Sequence, residues 1–333
     1  MPDAASPAPG YAGTAPGAAG PAFVVIGEAI VDLIAGDDEG TYVARPGGGP
    51  LNIAVGLARL GQPVAFAGRL SADPLGTVLR RHLDRSGVDG RYLRVAPQPS
   101  TISLADLVAG VAAYEFSAGG PDFLWSAAEL EFLPGPARVV HFGSLASWLP
   151  PGDAAIDAAM NRVRAAGGVL VSYDPNVRPA LQPDRDGARA QVERAVGHAH
   201  LVKASVEDLE WLYGAAEPAA VARRWLALGA GLVVITAGPD GASGWTRPGV
   251  AVTRPAYPAA MVDTVGAGDA FLSGLLDALD RAGRLDPAAV LAGLDAAVLA
   301  PALEHAGMVA GLTCQRPGAN PPWRSEIAAL SSR

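Results

Sequence analysis

Between Phe23 and Gly238 the chain carries six short, almost wholly apolar runs, most of them separated by segments long enough for a helix. They are FVVIG (Phe23 to Gly27), PVAFAG (Pro63 to Gly68), ARVVHFG (Ala137 to Gly143), GVLVSYD (Gly168 to Asp174), HLVKAS (His200 to Ser205) and GLVVITAG (Gly231 to Gly238). A strand that is apolar throughout, instead of at alternate positions, is buried on both faces. The pattern therefore predicts an α/β fold: a largely parallel sheet with helices on both sides. In such folds ligands bind beyond the carboxyl ends of the strands. LNIAVGLARLG (Leu51 to Gly61) reads as a helix, apolar nearly all round and ended by glycine. Two stretches, about 31–46 and 100–117, alternate instead like exposed antiparallel strands. They predict a small β-sheet on one edge, which could cover the site as a lid or pair two subunits. No internal repeat is found.

Composition excludes several classes. The 333 residues are 50% hydrophobic and 17% charged, which suits one large core or one core with a small appendage. With a formal net charge of −8 and no basic stripe, the chain is not expected to bind nucleic acid. It has no run of about 18 apolar residues, so no membrane partner is expected. Cys314 is the only cysteine, which rules out an internal disulfide framework. The five histidines lack HExxH spacing, and His198 with His200 reads as a strand-edge coincidence, not a zinc pair. Lys203 is the only lysine and lies outside any GxxxxGK[ST] pattern, so a nucleotide site would not be a P-loop. The first strand leads into GEAIVD, not GxGxxG, which argues against a dinucleotide-binding turn. Residues 1–21 are nearly all Ala, Pro, Gly and Ser and lack the features of a signal peptide. They are expected to be a disordered leader on a cytoplasmic protein, with one domain over 22–333.

The chemistry concentrates in DTVGAGDAF (Asp263 to Phe271). Phe271, Leu272, Leu275, Leu276 and Leu279 recur at helical spacing, so Gly266, Ala267 and Gly268 fall where a helix begins and its N–H groups lack partners. Such an end binds an anion, and small residues let the anion approach closely. Asp269 beside that anion suits a base that takes the proton from an attacking hydroxyl; it also suits an acid that simply caps the helix. In RPGGGPLN (Arg45 to Asn52) three glycines allow close backbone approach, and Asn52 can both donate to and accept from a sugar hydroxyl or else cap the next helix. Asp32, just past the first strand, could accept two hydroxyl hydrogen bonds or simply face solvent.

In this order the segments resemble the ribokinase-like (PfkB) carbohydrate kinases, most closely the fructokinase branch, over about residues 22–322. DTVGAGDAF is similar to the family signature DTxGAGD, and PGGGPLN to the GGxPxN form seen in fructokinases. GSLA (Gly143 to Ala146), YDPNVR (Tyr173 to Arg178), ITAGPDGA (Ile235 to Ala242) and TCQRPGANPP (Thr313 to Pro322) match fructokinase-type segments. The resemblance implies a three-layer sandwich with a β lid and an ATP-dependent kinase acting on a primary hydroxyl of a free sugar, fructose above others. Ribose, 2-keto-3-deoxygluconate, a nucleoside or a sugar phosphate are alternative acceptors, the last if Arg45, Arg69 and Arg94 converge; a silent sugar-binding protein is a further alternative.

Residue by residue, the resemblance implies Asp269 as base and the amides of Gly266, Ala267 and Gly268 as anion hole. Asp32, Gly48, Asn52 and Arg178 would hold the sugar, Arg178 having a strand-end salt bridge as its other reading. Thr236, Gly238, Gly241 and Lys203 would line the ATP site. Asp263 and the carbonyl of Val265 would form a monovalent cation site suited to K⁺. The family's Asn-x-x-Glu, which organises the water shell of Mg²⁺, is replaced here by Ser205 and Asp208, with Glu207 as a competing candidate.

Overall fold

The computed structural model describes residues 20–35, 40–108, 111–116, 120, 123–133, 135–182 and 184–331. The leader expected over 1–21 lies outside them except for its last two residues. The described chain runs β1 (Phe23–Ile26), β2 (Ile30–Ala35), β3 (Tyr42–Gly47), α1 (Gly49–Arg59), β4 (Val64–Ala67), β5 (Arg69–Ser71), α2 (Pro74–Ser86) and β6 (Arg94–Ala96). It continues through β7 (Ile102–Val108), β8 (Val111–Phe116), β9 (Val139–Gly143), α3 (Asp153–Ala166), β10 (Leu170–Asp174), α4 (Arg185–His198), β11 (Leu201–Ser205) and α5 (Val206–Tyr213). The last elements are α6 (Pro218–Leu228), β12 (Leu232–Thr236), β13 (Ala242–Thr246), β14 (Ala251–Arg254), α7 (Ala267–Arg281), α8 (Pro287–Ala292), α9 (Ala296–Cys314) and α10 (Arg324–Ser331).

All six apolar runs enter one eight-stranded sheet, in the order β14-β13-β12-β11-β10-β9-β1-β4. The pairs from β4 to β12 are parallel, and β13 and β14 add antiparallel partners at one edge. Successive residues of β1 explain the three layers. Phe23 and Val25 pack with Leu51 of α1, Leu272 of α7 and Leu299 of α9, whereas Val24 and Ile26 pack with Ile156 of α3, Val192 of α4 and Trp225 of α6. Both faces are buried, so the strand has no position for a polar residue. The three-layer sandwich is the one that the resemblance implied.

α9 is the one helix among the described residues long and apolar enough, by composition, to cross a membrane. Half of it is buried, and it lies against α7, β13 and β14 as a core helix.

The small sheet has the order β3-β2-β7-β8. Its outer pairs are antiparallel as expected, but β2 and β7 run parallel, with Val31 opposite Ile102. β7 is reached only after the excursion through α1, β4 and α2, so no tight turn forces it to reverse direction.

Candidate active site

The start of α7 is built by Gly266, whose φ of 74° is left-handed and which stands at the N-cap. Gly266 also packs tightly: a Cβ there would lie 2.5 Å from the Cβ of Ala319. No side chain caps α7, so the helix-capping reading of Asp269 does not hold. Asp269 Oδ2 instead accepts a 2.9 Å hydrogen bond from Asn52 Nδ2. Burial pushes the Asp269 carboxyl above the usual carboxylate range, and the Asn52 bond, Lys203 and Arg178 offset part of that rise. Of the three amides expected to receive an anion, Ala267 donates to Thr264 O at 3.1 Å, closing a turn. The amides of Gly266 and Gly268 meet no acceptor among the described residues.

The glycine run carries the second side of the site. Gly48, at φ 102°, is the N-cap of α1 and supplies the carbonyl that accepts from Asn52 N at 2.9 Å. No side chain caps this helix either, so Asn52 is free for the site. Its Oδ1 is buried with no protein partner, an acceptor that needs a donor from elsewhere. Asp32 lies on β2 opposite Ser103 of β7. Burial raises its carboxyl to about 6, against the pull of Ser103 and Arg178 and with a push from Asp269. Arg178 forms no salt bridge among the described residues. Its Nη1 donates to the Asn176 side chain at 2.7 Å and to the carbonyls of Asn176 and Val177.

Asp32, Gly48, Asn52, Arg178, Lys203 and Asp269 all line one cavity of about 280 Å³, together with Gly266, Ala267 and Gly268. Thr236, Gly238 and Gly241 line another of about 430 Å³, walled by Tyr257, Phe271, Leu303 and the small-residue face of α9. Thr264, Ala267 and Gly268 belong to both, so the two cavities meet at the start of α7. Lys203 stands at this junction: a Cβ on Gly268 would lie 2.9 Å from its Nζ. Lys203 pairs with Asp174 at 3.0 Å, both buried. Burial alone would lower the Lys203 pKa, but Asp174, Asp208 and Asp269 outweigh it and hold the ammonium above its usual value. Burial raises Asp174 to about 6, Lys203 notwithstanding.

Two expected ion ligands have other partners. Asp208 Oδ2 accepts from Ser205 N and Oγ, Ser205 Oγ accepts from Asp208 N, and Asp208 Oδ1 accepts from Val177 N at 2.7 Å. This is a capping box that opens α5 and ties down the chain before Arg178. Asp208 does not line the cavity. Asp263 accepts from Val265 N at 3.0 Å and from Gly318 N at 2.7 Å, holding the approach to α7 against the loop after α9. The histidines stay apart in role: His198 faces Asp157, and His200 Nδ1 accepts from Val171 N.

Among the cavity residues that the sequence did not single out are Glu28, Ser144 and Asn176. Glu28 Oε2 accepts from Ala146 N at 3.2 Å. Ser144 and Asn176 are the two non-glycine residues with positive φ among those described, at 57° and 42°. GSLA and YDPNVR, already noted as motifs, contain them.

The sequence pattern of the pfkB family carbohydrate kinases matches residues 22–326. The fructokinase of Rhizobium leguminosarum bv. trifolii is 37% identical over 257 residues, covering 76% of this chain and 78% of that protein. A solved fructokinase with bound ATP from Xylella fastidiosa superposes with a TM-score of 0.85 at 27% identity, covering 93% of this chain and 98% of that one. An aminoimidazole riboside kinase from Salmonella enterica, complexed with aminoimidazole riboside and an ATP analogue, gives 0.79 at 30% identity, covering 92% and 99%.

Proposed function

The chain belongs to the pfkB family of carbohydrate kinases, and on that footing we propose that this fructokinase-like sugar kinase transfers the γ-phosphate of ATP to a primary hydroxyl of free fructose. The observation that carries the reading is the meeting of a polar cavity and a mostly apolar one at Gly268, with Asp269 buried at the junction.

The polar cavity suits a neutral sugar. Asp32 and Asn52 Oδ1 offer hydroxyl acceptors, and among the described residues Arg178 and Lys203 are the only cationic side chains lining it, Lys203 being paired with Asp174. Arg45, Arg69 and Arg94 are not among the lining residues, and Arg69 is paired with Glu129, which disfavours a sugar phosphate. The apolar cavity suits an adenine and ribose, with the phosphates reaching the Gly266 and Gly268 amides.

In the transfer, Asp269 takes the proton as the sugar O–H bond breaks and the new O–P bond forms, and ADP leaves with the electron pair of the old P–O bond. The amides and Lys203 stabilise charge on the moving phosphoryl group. A divalent cation would ride on the nucleotide phosphates. Asp208 does not fit the ligand role, since it lies off the cavity that the phosphates would reach, and no cluster of three His, Cys, Asp or Glu side chains that could hold an ion occurs among the described residues. Asp263 with the Val265 carbonyl suits a K⁺ ion, which would add positive charge behind the anion hole. A cytoplasmic setting and a homodimer formed through the exposed Tyr42 and Val43 of β3 belong to the same proposal.

The test is ADP release from Mg-ATP over a panel of fructose, ribose, glucose, 2-keto-3-deoxygluconate, adenosine, aminoimidazole riboside and fructose 6-phosphate. Fructose should give the highest kcat/KM. A preference for a riboside would move the substrate assignment, and silence on all of them would remove the kinase proposal.

A further inference from the structure

Asn176 sits just past the carboxyl end of β10 and Ser144 just past that of β9, its neighbour in the sheet. Both hold a backbone conformation that non-glycine residues rarely adopt, with φ at 42° and 57°. Such strain persists where the surroundings over-determine it, and it gathers at ligand sites. Asn176 is held from three directions: its N donates to Asp174 Oδ1 at 3.1 Å, its Oδ1 accepts from Arg178 Nη1 at 2.7 Å, and its Nδ2 donates to Ser144 Oγ at 3.2 Å. A guanidinium has only donors, so Arg178 decides which way the amide faces. The oxygen must point to Arg178 and the NH₂ away from it. One of the two Nδ2 hydrogens goes to Ser144, leaving the other.

The remaining hydrogen has a destination. A Cβ built on Gly49 would lie 2.8 Å from Asn176 Nδ2, 3.3 Å from Asp269 Oδ1 and 3.6 Å from Ser144 Cβ. These atoms therefore face one small space over the Gly49 backbone. Asp269 Oδ2 is taken by Asn52, so Oδ1 is the oxygen left for a proton. An amide donor on one side and a carboxylate acceptor on the other match a hydroxyl, which accepts one hydrogen bond and donates one.

The geometry points to Asn176 as a further catalytic residue of the proposed sugar kinase: its Nδ2 holds the attacking oxygen over Gly49 while Asp269 Oδ1 takes that oxygen's proton. The inference rests on the kinase reading. It assigns the N–H to one lone pair of the hydroxyl and leaves another to form the O–P bond. It also explains Gly49, since any side chain there would fill the space that the hydroxyl needs.

The experiment compares wild type with Asn176→Gly, Asn176→Asp and Gly49→Ala on the best sugar of the panel. Glycine suits the positive φ, so Asn176→Gly removes the amide without new strain. Its kcat should fall about tenfold to hundredfold, as for loss of one preorganised donor, with the KM for ATP and the melting temperature held. Asn176→Asp puts a second carboxylate beside Asp269 and should move the acid limb of the kcat profile to higher pH. Gly49→Ala should lose sugar turnover while still binding ATP. A kcat for Asn176→Gly within about twofold of wild type, or a loss that merely follows a lower melting temperature, overturns the role of Asn176 alone. A wild type that phosphorylates nothing on the panel removes the kinase reading and this inference together.

Discussion

Asn52 and Asp269, 217 residues apart in the chain, are joined by a single 2.9 Å hydrogen bond that ties the first turn of α1 to the first turn of α7. The bond also divides the labour of the carboxylate: Oδ2 is fixed and Oδ1 remains available.

Replacing Asp269 by Asn should therefore preserve the architecture while removing the base. The Asn side chain keeps an oxygen for Asn52 to donate to, so the melting temperature should change little. A general base contributes on the order of 10²–10⁴ in rate, and kcat should fall by that much. Steady-state kinetics beside a thermal melt tests this, and wild-type turnover in the variant would assign the base elsewhere.

Asp32 should show a trade between stability and binding. Its folded pKa is raised to about 6, so the folded state holds its proton more tightly than the unfolded chain. The stability this gives is present at low pH and is lost as pH rises through about 6. Asp32→Asn should then stabilise the protein at pH 8 by on the order of 3 kcal/mol and leave it nearly unchanged at pH 4, while raising the sugar KM. Melts at the two pH values decide it. Equal effects at both would mean that Asp32 is not buried as a charge.

Gly311 bounds the apolar cavity, and a Cβ there would come 2.8 Å from the Tyr257 ring. Gly311→Val should displace Tyr257, narrow that cavity and raise the KM for ATP about tenfold or more, an effect of at least about 1.4 kcal/mol. The sugar KM should hold. If the sugar constant moved and the ATP constant did not, the two cavities would have been assigned the wrong way round.

Ser205→Ala should lower stability by about 1 kcal/mol through loss of the cap on α5. Because Asp208 also anchors Val177, Asp208→Ala should loosen Arg178 and raise the sugar KM, leaving the Mg²⁺ concentration for half-maximal activity in place. A large shift in that Mg²⁺ requirement would return Asp208 to the metal.

The sheet was legible because six runs are almost wholly apolar, a pattern that only a strand covered on both sides tolerates. The parallel pairing of β2 with β7 was not, since alternation along a strand is the same whichever way its neighbour runs. Within the site, Asp269, Asn52 and the glycines announced themselves by motif. Asn176 and Ser144 did not, because their conformations arise from the way two neighbouring strands end together, a relation between segments about thirty residues apart that no local pattern encodes. The capping role of Asp208 could have been seen, as Ser205-x-x-Asp208 has the spacing of a reciprocal cap.

The pairing of Lys203 with Asp174 has an effect on how the molecule meets reagents. It is the only lysine of the sequence and it lies 4% exposed, so the folded surface described here presents no side-chain amine at all. Acylating labels and amine cross-linkers would pass over its side chains, and the rate at which the Lys203 nitrogen becomes labelled is a clock for how often this buried pair opens.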